Sequence, residues 1–162
     1  MTRTALVVGA TGIQGSAIAA QLLEEGWTVH GLSRRPQDQP GVLPVAADLL
    51  DPQGLARALD GIAPAHVFLT SWLRMPTEAE NIRVNGAMVR NVLDALRPAG
   101  SVRHVALVTG LKHYLGPFEA YGQGRLPQTP FREDQGRLDV ANFYYAQEDE
   151  VFAAAARDGF GW

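Results

Sequence analysis

Val7-Val8-Gly9-Ala10-Thr11-Gly12-Ile13-Gln14-Gly15-Ser16-Ala17-Ile18 is the stretch on which the reading of the fold turns. The apolar run over residues 5–8 stops at Gly9, apolar residues return at helical spacing over 13–23, and Gly26 closes the segment. The pattern predicts strand, glycine turn, helix. Gly9, Gly12 and Gly15 form a G-x-x-G-x-x-G turn. Glycines let the backbone turn tightly and approach a pyrophosphate, whose charge is received by N–H groups at the helix start. In this strand-to-helix setting the turn, with Thr11, Ile13 and Gln14 inside it, points to a dinucleotide. The plain alternative is a turn that serves only the fold.

Outward from that unit, residues 28–32 read as a second strand and 43–46 as a short third. Asp51-Pro52 starts a brief helix through residue 59, and 65–70 is a fourth strand. A long helix is expected over 77–96, stopped by Pro98 and Gly100, and a fifth strand over 104–109. Alternating strands and helices imply parallel pairing through right-handed crossovers. The expected fold is α/β, a doubly wound parallel sheet of Rossmann type with order 3-2-1-4-5, occupying residues 1–162 as one domain. Ligand belongs at the strand C-termini beside the first strand. Residues 110–138, rich in Gly and Pro, read as a long loop, and 142–157 as a helix ended by Gly159. Phe160-Gly161-Trp162 resembles the entry to a sixth strand, so the fold is expected to be truncated after the fifth strand and its following helix.

Ser33-Arg34-Arg35 follows the second strand, about where a site preferring NAD places an acid for the ribose 2′-hydroxyl. Two guanidiniums stand there instead. They suit a 2′-phosphate, and one charge-assisted hydrogen bond is worth ~1.5–3 kcal/mol, or about one to two decades of preference. The alternative is ordinary solvated surface. Asp48, just past the third strand, reads either as a partner for an adenine amino group or as a turn or cap residue.

Bulk properties narrow the remaining classes. With 46% hydrophobic residues the chain can bury a core, and a net charge of −3 offers no basic field for nucleic acid. The chain has no cysteine, which removes disulfides, thiolate nucleophiles and Cys-based zinc sites, and no metal site is expected. The N-terminus superficially imitates a signal peptide, but Gly9, Gly12 and Gly15 interrupt its apolar core, and no segment has the length to span a bilayer. The expectation is a soluble, cytoplasmic protein with no membrane partner. Of the 14 basic residues only Lys112 is lysine.

Three further stretches carry a resemblance: Val108-Thr109-Gly110-Leu111-Lys112-His113-Tyr114-Leu115-Gly116-Pro117-Phe118-Glu119, Asn142-Phe143-Tyr144-Tyr145-Ala146-Gln147-Glu148-Asp149, and Ser33-Arg34-Arg35-Pro36. The sequence is similar to the progesterone 5β-reductase and iridoid synthase group, atypical short-chain dehydrogenases/reductases that use NADPH to reduce the C=C bond of enones. The resemblance runs from the glycine turn to Trp162. Most short-chain dehydrogenases place Tyr and Lys one helical turn apart. Here Glu148 lies four residues after Tyr144, and Asp149 four after Tyr145. The resemblance implies that the lysine comes from the end of the fifth strand and the tyrosine from the next helix. Lys112 and Tyr144 are then the catalytic pair, with Tyr145 as the competitor for Tyr144. By the same resemblance Thr11, Gly12, Ile13, Asp48, Leu49, Ser71, Trp72 and Thr109 fall on cofactor contacts, while His113 and Tyr114 read as structural.

The implied chemistry explains the residue types. Hydride addition to the β-carbon of an enone collects negative charge on the carbonyl oxygen as an enolate. A tyrosine hydroxyl can donate a hydrogen bond to that oxygen, and a nearby ammonium stabilises the charge. Lys112 can equally anchor the nicotinamide ribose. Without the resemblance, paired aromatics at a helix start read as core packing. Family members are considerably longer and carry most of their substrate pocket after the point matched by Trp162. Three readings follow: a reductase of enones or related carbonyls represented by its N-terminal part, a non-catalytic NADP(H)-binding regulatory module, and an inactive fragment. A sheet ending at its fifth strand exposes an edge, which a homodimer would cover.

Overall fold

The computed structural model describes residues 3–120 and 129–162. Five strands form one parallel sheet: β1 (Thr4–Val8), β2 (Thr28–Ser33), β3 (Val42–Ala46), β4 (His66–Leu69) and β5 (His104–Leu107). Their order is β3-β2-β1-β4-β5, as the alternation of strands and helices predicts. β1 lies at the centre, with Val8 beside Leu32 of β2 on one side and Leu69 of β4 on the other. All three strand ends therefore open at one sheet edge. The order of connection reverses there, which leaves a crevice between the loops.

The sequence of β1 shows why helices cover both faces. Successive strand side chains point to opposite sides. Ala5 and Val7 pack with Ala19, Leu22 and Val29 under α1 (Ile13–Glu24). Leu6 and Val8 pack on the other side with Leu55 of α2 (Pro52–Ala58), with Val89 and Val92 of α3 (Glu78–Leu96), and with Val151 of α5 (Phe143–Asp158). Both faces of the strand are buried, so β1 reads as a continuous apolar run.

Local signals set the helix ends. Asp51 caps α2 by accepting from Gly54 N at 3.0 Å, and Thr77 caps α3 by accepting from Glu80 N at 3.3 Å. Asn142 caps α5 through Tyr144 N at 3.0 Å, and Gly159 ends that helix in the left-handed region at φ +80°. Gly161 then makes an isolated parallel bridge to His104 at the outer edge of β5.

The loop expected over 110–138 needs correction. Its first part is helical: α4 (Lys112–Leu115) and a 3₁₀ turn (Phe118–Ala120), with Gly116 at φ +79° between them. Four residues are too few to show helical periodicity in sequence. β5 also stops at Leu107, so Lys112 opens α4 and does not end a strand. Residues 121–128 of the expected loop lie outside the described residues.

Candidate functional site

An open cleft of about 790 Å³ lies over the C-terminal ends of the central strands. Gly9, Thr11, Gly12, Ile13 and Gln14 form one wall, Ser33, Arg34 and Arg35 a second, and Asp48, Leu49, Ser71 and Trp72 complete the lining. These residues were all expected at a cofactor. Gln37, Thr70, Leu73 and Met88 also line it and were not expected. Thr70 was legible as the position after β4. Met88 was not, because it reaches the cleft from the middle of α3.

Two glycines are required by contact. Gly9 sits at φ +88°, and a Cβ there would stand 2.4 Å from Ser71 Oγ and 2.8 Å from Thr70 Oγ1. A Cβ at Gly15 would stand 2.2 Å from Gly9 O, so its absence lets α1 pack onto the turn. Gly15 therefore supports the cleft without lining it. Gly12 begins α1 with no side-chain cap, and the amides of residues 13–15 have no carbonyl one turn earlier inside the helix. That backbone cradle and dipole fit a pyrophosphate. Arg34 and Arg35 are exposed at the end of β2 beside the same cleft, where they fit a 2′-phosphate. Asp48 accepts from Leu50 N at 2.9 Å, the turn role among its two readings, while still lining the cleft.

The floor past β4 is held by α3. Asn85 accepts from Leu73 N at 2.7 Å and donates to Leu73 O at 2.8 Å, and Asn81 accepts from Met75 N at 2.8 Å. This fixes the segment bearing Trp72, whose ring stacks on Phe143 at 5.5 Å and lies 6.1 Å from Phe118. The stack leads from the cleft to a second, buried cluster.

Lys112 is at the centre of that cluster, with its side chain 2% exposed. Its Nζ donates to Glu78 Oε2 at 2.9 Å and to Gly116 O at 3.4 Å, and it lies 4.7 Å from the Phe118 ring centre and 5.3 Å from that of Phe143. Neither Lys112 nor Thr109 lines the cleft. Asn142 donates to Lys112 O at 2.9 Å, tying the start of α5 to α4. Sequence reading missed Glu78 and Asn142. Glu78 follows a helix cap and reads as an ordinary first-turn acid, with nothing to mark a lysine 34 positions away.

The two tyrosines part company. Tyr145 is buried; its hydroxyl donates to His113 O at 2.5 Å and accepts from Leu138 N at 3.0 Å, so it joins α4, α5 and the preceding segment. Tyr144 is half-buried, and a Cβ on Gly110 would stand 3.4 Å from its Oη. Its hydroxyl thus lies beside Gly110, just past the end of β5, and like Lys112 it does not line the cleft. Glu148 and Asp149, where other short-chain enzymes would carry lysine, hold Arg137 at 2.8 and 2.7 Å. His113 packs edge-on to Tyr145 and Tyr114, and Tyr114 stacks on Phe131, as structural residues. Among the described residues no group of three His, Asp or Glu is placed to hold a metal, and no helix is long and apolar enough to cross a membrane.

Comparison with known proteins places this arrangement. A model described as the NAD dependent epimerase/dehydratase family matches residues 5–157. The chain is 39% identical to (S)-8-oxocitronellyl enol synthase of Camptotheca acuminata over 98% of its own length and 44% of that protein's. It is 41% identical to 3-oxo-Delta(4,5)-steroid 5-beta-reductase of Arabidopsis thaliana over 91% of its length and 41% of the relative's. The chain thus spans less than half the length of these relatives. Among solved structures, a short-chain dehydrogenase/reductase superfamily protein of Agrobacterium tumefaciens with bound NAD matches at TM-score 0.69 and 25% identity, over 91% of this chain and 44% of that one. UDP-glucose 4-epimerase of Thermotoga maritima shares the fold at TM-score 0.74 and 16% identity, over 97% and 52%. The chain belongs to the NAD dependent epimerase/dehydratase family, and within it resembles the progesterone 5β-reductase and iridoid synthase group to which its lysine and tyrosine motifs point.

Proposed function

We propose that this chain is the cofactor-binding part of an NADPH-dependent oxidoreductase that reduces the C=C bond of enones or a related carbonyl substrate. The observation that carries the reading is a continuous series of groups at one sheet edge. A glycine cradle with two exposed arginines lies at one end, and the Trp72–Phe143 stack leads to Lys112 and the helix bearing Tyr144. The names of the relatives, a steroid 5-beta-reductase and an enol synthase, agree with it.

The cofactor, when bound, supplies hydride. Gly9, Gly12 and the first amides of α1 would hold its pyrophosphate, and Arg34 and Arg35 its 2′-phosphate. Trp72 lines the cleft and stacks on Phe143. Tyr144 would donate a hydrogen bond to the substrate oxygen, which takes on enolate charge when hydride adds at the β-carbon, a proton from water completing the reduction at the α-carbon, and Lys112, held by Glu78, would supply its ammonium near that end of the site. Tyr144 is assigned by its position in the motif and by its hydroxyl, which lies beside Gly110 past the end of β5, whereas the Tyr145 hydroxyl is buried between His113 O and Leu138 N.

The test is titration of the chain with NADPH and, separately, NADH, followed by nicotinamide fluorescence. Binding of NADPH at least about tenfold tighter, lost in Arg34→Ala, is expected from one guanidinium–phosphate contact. Equal affinity for the two cofactors would remove the 2′-phosphate assignment, and binding of neither would remove the cofactor reading. A second reading, an NADP(H)-binding module without turnover, is favoured by the burial of Lys112 outside the cleft. NADPH binding without oxidation across an enone panel selects it.

A further inference from the structure

We propose that Glu78 is a positioning residue: its two carboxylate oxygens tie Lys112 and the first turn of α5, which bears Tyr144, into one arrangement. The inference rests on the functional reading above. Glu78 is the first residue of α3, and its side chain is 10% exposed. Oε2 accepts from Lys112 Nζ at 2.9 Å and from Asn81 Nδ2 at 3.4 Å, while Oε1 accepts from Phe143 N at 2.7 Å. One carboxylate thus joins α3, α4 and α5 across 34 and 65 positions of sequence.

The chemistry of the cluster favours a precise placement over simple neutralisation. A buried ion pair stabilises little against its desolvation, so stability alone is a weak account of this one. Lys112 has its ammonium between two aromatic rings, with Glu78 and Gly116 O accepting its hydrogens. The Phe143 amide, one of the α5 amides without an intrahelical acceptor, is satisfied by the same carboxylate that holds the lysine. Tyr144 is the next residue. A shift of the Lys112 ammonium relative to the backbone that opens α5 therefore breaks a bond to Glu78. Asn142 secures the same junction from the other side, through Lys112 O.

Because Lys112 is the only lysine, it can be observed directly. The experiment uses the 162-residue chain without cofactor, labelled with ¹³C at lysine Cε and ¹⁵N at Nζ. Wild type is expected to give one lysine resonance displaced by the Phe118 and Phe143 rings from its position in urea, with ammonium protons slow enough to be seen. Glu78→Gln keeps the shape and an oxygen for Phe143 N but removes the charge. In it the resonance is expected to move toward the unfolded position, and acylation of residue 112 by an N-hydroxysuccinimide ester to rise about tenfold, as a local opening easier by one decade would give. Glu78→Asp is expected to restore part of both signals. Unchanged resonance and acylation in Glu78→Gln would overturn the proposal. If that variant does not fold, wild type decides: a lysine signal at its unfolded position, or ammonium protons lost to fast exchange, overturns it. NADPH titration of the same samples separates the two readings. Loss of NADPH binding in wild type sinks the cofactor assignment and leaves the lysine result standing, whereas normal binding with an unheld lysine sinks only the role of Glu78. Where an enone is turned over, Glu78→Gln is expected to lower kcat by about tenfold to a hundredfold with the KM for NADPH unchanged, the cost of a misplaced group.

Discussion

The glycine cleft and the Lys112 cluster meet through one aromatic stack, yet they are built on opposite principles. The cleft is open, and its first wall is backbone from consecutive residues, shaped by side chains that are missing: Gly9 and Gly15 leave space that a Cβ would fill. The cluster is closed and made of side chains whose partners are distant in sequence, with Lys112, Glu78 and Tyr145 all buried. A ligand can supply the partners that the cleft lacks. The cluster already supplies its own, so changes there should strike stability first.

The largest break in that contrast is expected from Lys112→Ala, which leaves the Glu78 carboxylate buried without its cation. Removal of one partner of a buried pair costs about 3–5 kcal/mol, read as a fall in the urea midpoint. Glu78→Gln combined with Lys112→Met should recover part of that stability, because the amide oxygen still accepts from Phe143 N while no buried charge is left unpaired; equal losses in the single and double variants would show that the pair is not the cause.

Gly15→Ala should follow, at roughly 1–3 kcal/mol, because its Cβ would meet Gly9 O at 2.2 Å and push α1 off the turn. Here the cofactor should suffer with the fold, and unaltered NADPH affinity would show that the cradle tolerates the shift. Tyr145→Phe should cost about 1–3 kcal/mol by stranding His113 O and Leu138 N, while leaving NADPH affinity alone. A loss of affinity there would mean that the two regions are coupled more tightly than the aromatic stack suggests.

The sheet should itself respond to pH. Burial lowers the pKa of His30 and, with help from His104 and Arg103, that of His66. The unfolded chain then binds more protons than the folded one around and below about pH 6.5, so this contribution is present above that pH and lost as pH falls through the lowered folded values. Melting temperature should drop between about pH 7 and 5, and His66→Gln should flatten the slope. An unchanged slope would assign the acid response elsewhere. The smallest effect on stability, within about 0.5 kcal/mol, is expected from the exposed Arg34→Ala. Its effect on the choice between NADPH and NADH should nonetheless be the clearest of any variant in the cleft.

How much was legible in advance follows the same division. The strand order, the glycine turn and the residues after β2 and β4 were readable because each rests on a local signal: a two-residue or helical period, a glycine where the chain must turn, a position just past a strand. The motif around Lys112 was visible through resemblance, but its helical turn was not, since four residues carry no period. Nothing local separated Tyr144 from Tyr145. Adjacent residues on a helix differ by about 100° in direction, and only the surrounding elements decide where each ring packs.

By itself, then, the sequence determined the α/β alternation, the parallel sheet and the place of the glycine-lined cleft, because those depend on periodicity and on backbone freedom within a few residues. Tertiary structure alone decided that Glu78 would meet Lys112 and Phe143, that Met88 would reach the cleft, and that Glu148 and Asp149 would hold Arg137. These are pairings of charge and shape across long stretches of chain, and they come into being only when packing of α3, α4 and α5 brings the partners within hydrogen-bonding distance.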